Sequence, residues 1–124
     1  MAVTIMDVRL QLGNVSSDLI SDDIIAQQIK YSTDYIMERR IAGATPLAID
    51  ISVTLLAAYN VTLAYYDVLT RDLGRTPELS AQKLSTMWSQ FLFFSEGVIG
   101  KVIKREPALA AATKLIDEYN PTIV

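Results

Sequence analysis

The side chains that most often carry chemistry are either missing from this sequence or wrongly spaced for it. There is no cysteine and no histidine among the 124 residues. That removes thiol nucleophiles, disulfide frameworks, Cys/His zinc sites, the Ser-His-Asp triad and imidazole acid–base catalysis. It also leaves the redox compartment unmarked. Carboxylates remain. Asn14, Ser16, Ser17, Asp18, Ser21, Asp22 and Asp23 make an oxygen-rich stretch. A calcium loop needs acidic or amide ligands at fixed alternate positions, a central glycine and a terminal glutamate. Those are absent, so the stretch reads as a turn followed by a helix cap. Asp50 and Asp67 stand inside an apolar region. On one helix they lie about 25 Å apart, too far to work as a pair. Each is expected to face solvent, an arginine such as Arg71, or a subunit boundary. No glycine-rich phosphate loop or nucleophile elbow appears, and Gly97-Val-Ile-Gly100 is too sparse to cradle a phosphate. The six tyrosines have no recognisable acid–base partner. The expectation is a protein that is not an enzyme, with no catalytic residue, no metal site and no cofactor.

The large aromatics raise a different possibility. Trp88, Phe91, Phe93 and Phe94 fall close together. On a helix, neighbours such as Phe93 and Phe94 point about 100° apart, so one adjoining element cannot cover all four. Two readings stay open: a core helix contacted on two sides, or a protein–protein interface anchored by large aromatics. Trp88, Phe91, Phe93 and Phe94, with Tyr65 and Tyr66, are the candidate interface residues.

The elements that must position them are helical throughout. Thr4 and Asp7 resemble a capping box and Gly13 a C-terminal stop, which predicts a helix at about 5–12. Ser21 caps a second helix at about 22–42, with Asp22 and Asp23 in its first turn and Ile25, Ile29, Ser32 and Ile36 on one face. Thr45-Pro46 opens a third at about 46–70, apolar nearly all round and so expected to be largely buried. At roughly 35 Å it exceeds what one small domain covers, and part of it is expected to meet another chain. Thr76-Pro77 opens a fourth at about 77–104, in which Gly97 and Gly100 suggest a break, a kink or a close approach. Pro107 opens an Ala-rich fifth at about 107–119. The fold expected over 1–124 is a single all-α domain, a compact bundle of about five helices.

Bulk composition sharpens this. Hydrophobic residues make up 51% and charged residues only 20%. A membrane span is not expected, because the charge-free stretch Ile51 to Tyr66 falls short of the ~20 apolar residues required. The N-terminal segment lacks the basic head and apolar run of a signal peptide. Net charge is −3, unlike a nucleic-acid binder. The cations Arg39 and Arg40, Arg71 and Arg75, and Lys101, Lys104 and Arg105 gather where helices should end. There they complement the helix dipole, the alternative being a phosphate-binding patch.

With the helices placed, the first half resembles a known family. Met6-Asp7-Val8-Arg9-Leu10-Gln11-Leu12-Gly13, then Asp18, Ser21-Asp22-Asp23-Ile24-Ile25, Ile29 and Tyr35-Ile36, is similar to the head–tail connector (adaptor, or head completion) proteins of tailed bacteriophages. In that family a short D-V-x-x-x-L-G helix precedes an acidic turn and a long second helix. A third helix opening with proline follows, here Pro46, Leu47, Ile49 to Tyr59 and Tyr65-Tyr66. The likeness covers roughly the first 70 residues; from Arg71 onward the chain departs from it.

The resemblance implies a virion structural protein forming a homo-oligomeric ring, commonly of about twelve subunits, at the virion neck. The ring would sit between the portal protein and a tail or stopper protein, assembled in the host cytoplasm. DNA would pass non-specifically through its lumen, with no membrane involved. No catalytic or individual binding residue carries over. The residues agree with this picture. An acidic chain offers few cations to grip DNA by counterion release. Surplus apolar faces would be covered by the next subunit in a closing head-to-tail contact. Gly97 and Gly100 would let the C-terminal segment reorient on docking. The alternative is a soluble helical-bundle interaction or regulatory protein, a small closed oligomer such as a dimer.

Overall fold

The computed structural model describes residues 3–13 and 15–100, and over these the chain is an all-α bundle. Five helices follow in order: α1 (Ile5–Leu12), α2 (Asp22–Arg39), α3 (Pro46–Ala64), α4 (Tyr66–Asp72) and α5 (Pro77–Ile99). The expected helix at 107–119, the end of the fourth at 101–104, the cations Lys101, Lys104 and Arg105, and Asn14 lie outside the described residues.

Helix starts follow local chemistry. At α1 the Thr4 amide donates to Asp7 Oδ2 (2.9 Å) and the Asp7 amide to Thr4 Oγ1 (3.2 Å), a reciprocal capping box. Ser21, Thr45 and Thr76 accept from the amides of Ile24, Ala48 and Leu79, each satisfying one orphan donor of α2, α3 and α5. Pro46 and Pro77 occupy first helical positions. Gly13 ends α1 at φ 91°, ψ 38°, a left-handed geometry that a side chain would strain, and its amide reaches back to the carbonyls of Arg9 and Leu10.

Helix ends depart from expectation where a tertiary contact intervenes. α2 stops at Arg39 instead of residue 42, because the backbone turns extended at Arg40 and the Ile41 amide donates to the Val98 carbonyl of α5 at 2.7 Å. The expected third helix is divided. Tyr65 leaves helical geometry at φ −111°, ψ 27°, and the short α4 resumes beyond it. The break lets Leu69 join the core, at 2% exposed. Two hydrogen bonds tie α4 to α5, from Tyr66 Oη to the Pro77 carbonyl (2.9 Å) and from Thr70 Oγ1 to Ser80 Oγ (2.7 Å). Gly97 breaks nothing: α5 runs through it to Ile99, and Gly100 ends the helix at φ 77°.

α3 is the central element and packs against α1, α2, α4 and α5. One core cluster gathers Val8, Leu12, Val15, Ile20 and Ile25 with Ala57, Ala58, Tyr59 and Val61. A second joins Ile36, Val53, Leu55, Leu56, Phe91 and Val98. Among the described residues α3 is the one helix long and apolar enough to cross a membrane, although it contains Asp50. The charge-free stretch in the sequence understated that length. Half of the 18-residue window is buried inside the protein, as in a core helix, so α3 is partly buried.

Arg9 sews the first third together. Its guanidinium donates to the carbonyls of Val15 (2.7 Å) and Ile20 (2.9 Å) and pairs with Asp22 at the start of α2. The residues that carry the family resemblance thus have structural work in this chain. Asp7 caps, Val8 is core, Arg9 clamps the following turn, and Gly13 reverses the backbone.

Candidate functional site

The six candidate interface residues separate into an inside and an outside group. Phe91 is 1% exposed and belongs to the second core cluster. Trp88 is half-buried, stacked at a tilt between Tyr59 (5.0 Å between ring centroids) and Phe91 (5.3 Å), and it packs against both clusters. Tyr65 and Tyr66 are half-buried against the first cluster, with the Tyr66 hydroxyl committed to Pro77. These four rings therefore hold this chain's own helices together. Phe93 and Phe94 do the reverse. They are 74% and 47% exposed, and pack edge to face on each other at 5.2 Å. The 100° step between helical neighbours decides the split: Phe91 and Ser95 face the core, while Phe93 points away.

The exposed pair closes one end of a shallow depression along α5, lined also by Gln82, Ser85, Thr86, Ser89 and Gln90. Its walls are uncharged amides and hydroxyls. It offers two aromatic rings and a set of hydrogen-bonding groups, and no carboxylate, ammonium or guanidinium side chain lines it. Among the described residues no group of three or more histidine, cysteine, aspartate or glutamate side chains is placed to hold a metal ion. Asp67 is exposed and Asp50 half-buried, one on α4 and the other on α3.

A second surface was not anticipated from the sequence. On α1, Val8 and Leu12 face the core, which leaves Met6 and Leu10 outside at 61% and 59% exposed. Leu10, Asp7, Gln11 and Val3 form one wall of a groove whose other wall is Leu47, Asp50, Ile51, Thr54 and Leu55 of α3. Gln11 also lines a neighbouring depression with Leu79, Gln82, Lys83, Thr86, Met87 and Gln90 of α5. The two depressions therefore meet at Gln11. Leu47 and Leu79 stand at their far sides, 58% and 56% exposed. The pattern that marks this face is in the sequence, since Met6 and Leu10 recur at four residues, but Val8 and Leu12 do so too.

Charge is unevenly spread over this surface. The Thr4 backbone and hydroxyl hydrogen bonds hold the Asp7 carboxyl below the ordinary carboxylate range. Asp50 enters no ion pair among the described residues. At the other end, Lys83 and Arg75 converge over the C-terminus of α1. A Cβ at Gly13 would stand 3.6 Å from Lys83 Nζ and 3.7 Å from Arg75 Nη2. Burial and then the nearby Arg75 charge push the Lys83 ammonium below its usual value. No protein family, curated protein or solved structure matches this chain.

Proposed function

We propose that this chain is a structural subunit that works by assembly: a head–tail connector, or adaptor, forming a ring between a phage portal and the tail. The observation that carries the assembly reading is the exposed Phe93–Phe94 pair, bordered by uncharged hydrogen-bonding side chains. Large aromatics rimmed by polar groups anchor protein interfaces, and a lone soluble domain gains nothing from keeping them wet. The connector identity rests on the resemblance of residues 6–36 and of the proline-opened third helix. Within that reading the partners are the portal on one side and a tail or stopper protein on the other. The ring would hold about twelve subunits in a head-to-tail, closing contact. DNA would pass through the lumen without being gripped, because net charge is −3. The location is the virion neck.

Negative-stain electron microscopy of the protein mixed with portal from the same phage tests this. Rings seated on the portal, lost in a Phe93→Ser/Phe94→Ser variant that keeps its helical circular dichroism, support the proposal. An unaltered portal after mixing with the unmodified chain contradicts it.

A further inference from the structure

The α1 face carries an inference of its own that does not depend on the connector reading. Its centre is apolar, with Met6 and Leu10 on α1 and Leu47 and Leu79 to the sides, each more than half exposed. Its two ends have opposite charge. Asp7 and Asp50 stand at the groove end, and Lys83 with Arg75 at the end of α1. Along α1 these ends are separated by the six residues from Asp7 to Gly13, about 9 Å of helix. None of Asp50, Lys83 or Arg75 takes part in an ion pair among the described residues. Within the monomer, Lys83 and Arg75 repel one another, and both approach Gly13 at the negative end of the α1 dipole.

We propose that this face binds a second copy of the same chain across a two-fold axis passing near Leu10 and Gln11. An isologous contact requires a patch that complements itself. A charge gradient with an apolar middle does so: rotation by 180° lays the Asp7–Asp50 end of each copy on the Lys83–Arg75 end of the other. The same rotation sets the two α1 helices antiparallel, so their dipoles also attract. Leu10 meets its symmetry mate at the centre, where water is most fully excluded and where anchor residues concentrate. Gln82 and Thr86, away from the axis, provide the polar rim usual for such contacts.

The test is sedimentation equilibrium of the full chain over a hundredfold concentration range at low salt, repeated for charge variants. The unmodified chain should fit a monomer–dimer equilibrium. Asp50→Lys and Lys83→Glu should each weaken dimerisation by ~10-fold or more, because each reversal acts twice across the axis. The double variant Asp50→Lys/Lys83→Glu should recover the dimer, as should an equimolar mixture of the two single variants. Thermal midpoints followed by circular dichroism separate lost contact from lost fold. A monomer at every concentration, a closed oligomer larger than two, or single variants that dimerise as well as the unmodified chain would each overturn the proposal. Ring formation on the portal is read separately, so the two proposals stand or fall apart.

Discussion

Replacing Ser95 with alanine should make this protein more stable. Ser32, Ser52 and Ser95 lie on α2, α3 and α5, each is 0% exposed, and none of their hydroxyls has a hydrogen-bond partner among the described residues. A buried hydroxyl left unsatisfied costs about 1–3 kcal/mol, because it gives up water and gains nothing. Alanine also has the better helix propensity, by roughly 0.5 kcal/mol. Against this stands the small void left by one oxygen atom. The net expectation is about 1.5 kcal/mol of added stability for Ser95→Ala. With an unfolding entropy of about 2.1 cal/mol/K per residue, the 124-residue chain has roughly 0.26 kcal/mol/K at its midpoint. The thermal midpoint should therefore rise by about 6 °C. Ser89→Ala, at an exposed position of the same helix, supplies the control and should deliver only the propensity part, about 2 °C. Differential scanning calorimetry measures both. If Ser95→Ala lowered the midpoint, or only matched Ser89→Ala, the hydroxyl would have to be satisfied and the reasoning would be refuted.

Other substitutions probe other links. Phe91→Ala should cost about 3–5 kcal/mol in urea unfolding, whereas Phe93→Ala, two residues along, should stay within about 0.5 kcal/mol of the parent. Arg9→Met strips the Val15 and Ile20 carbonyls of their donor and leaves Asp22 unpaired, an expected loss of about 2–3 kcal/mol by the same assay. Asp7 makes a prediction about pH. Its folded carboxyl titrates below its unfolded value, so the cap's contribution is complete above about pH 4 and fades as pH falls through the lowered folded value. Carboxyl NMR should find the Asp7 midpoint below the ordinary range, and Thr4→Ala should return it upward.

What could be read from the sequence was whatever is decided within one turn of backbone. Thr4 with Asp7, Thr45-Pro46, Thr76-Pro77 and Gly13 mark helix ends by chemistry that needs no partner elsewhere, and the helices begin or end there. Ends set by distant contacts were hidden. Nothing near Arg40 announces that Ile41 will give its amide to Val98, 57 residues further along the chain but adjacent in the fold. The break at Tyr65 has no proline or glycine to signal it, and follows from the gain of burying Leu69 against the bundle. The aromatic cluster showed the same limit. Spacing established that four rings cannot share one side of a helix, but which ring turns inward depends on where α3 lies. The α1 face was obscured for a related reason: in an eight-residue helix with apolar residues at 6, 8, 10 and 12, either pair could have faced the core.

Assembly is the claim on which the functional reading depends. Under the connector proposal, electron microscopy of the purified chain, alone and with a candidate phage portal, tests it most directly. The expected result is small particles alone and closed rings of subunits on the portal in the mixture. Portal particles without added density, at concentrations that saturate any specific contact, would contradict it.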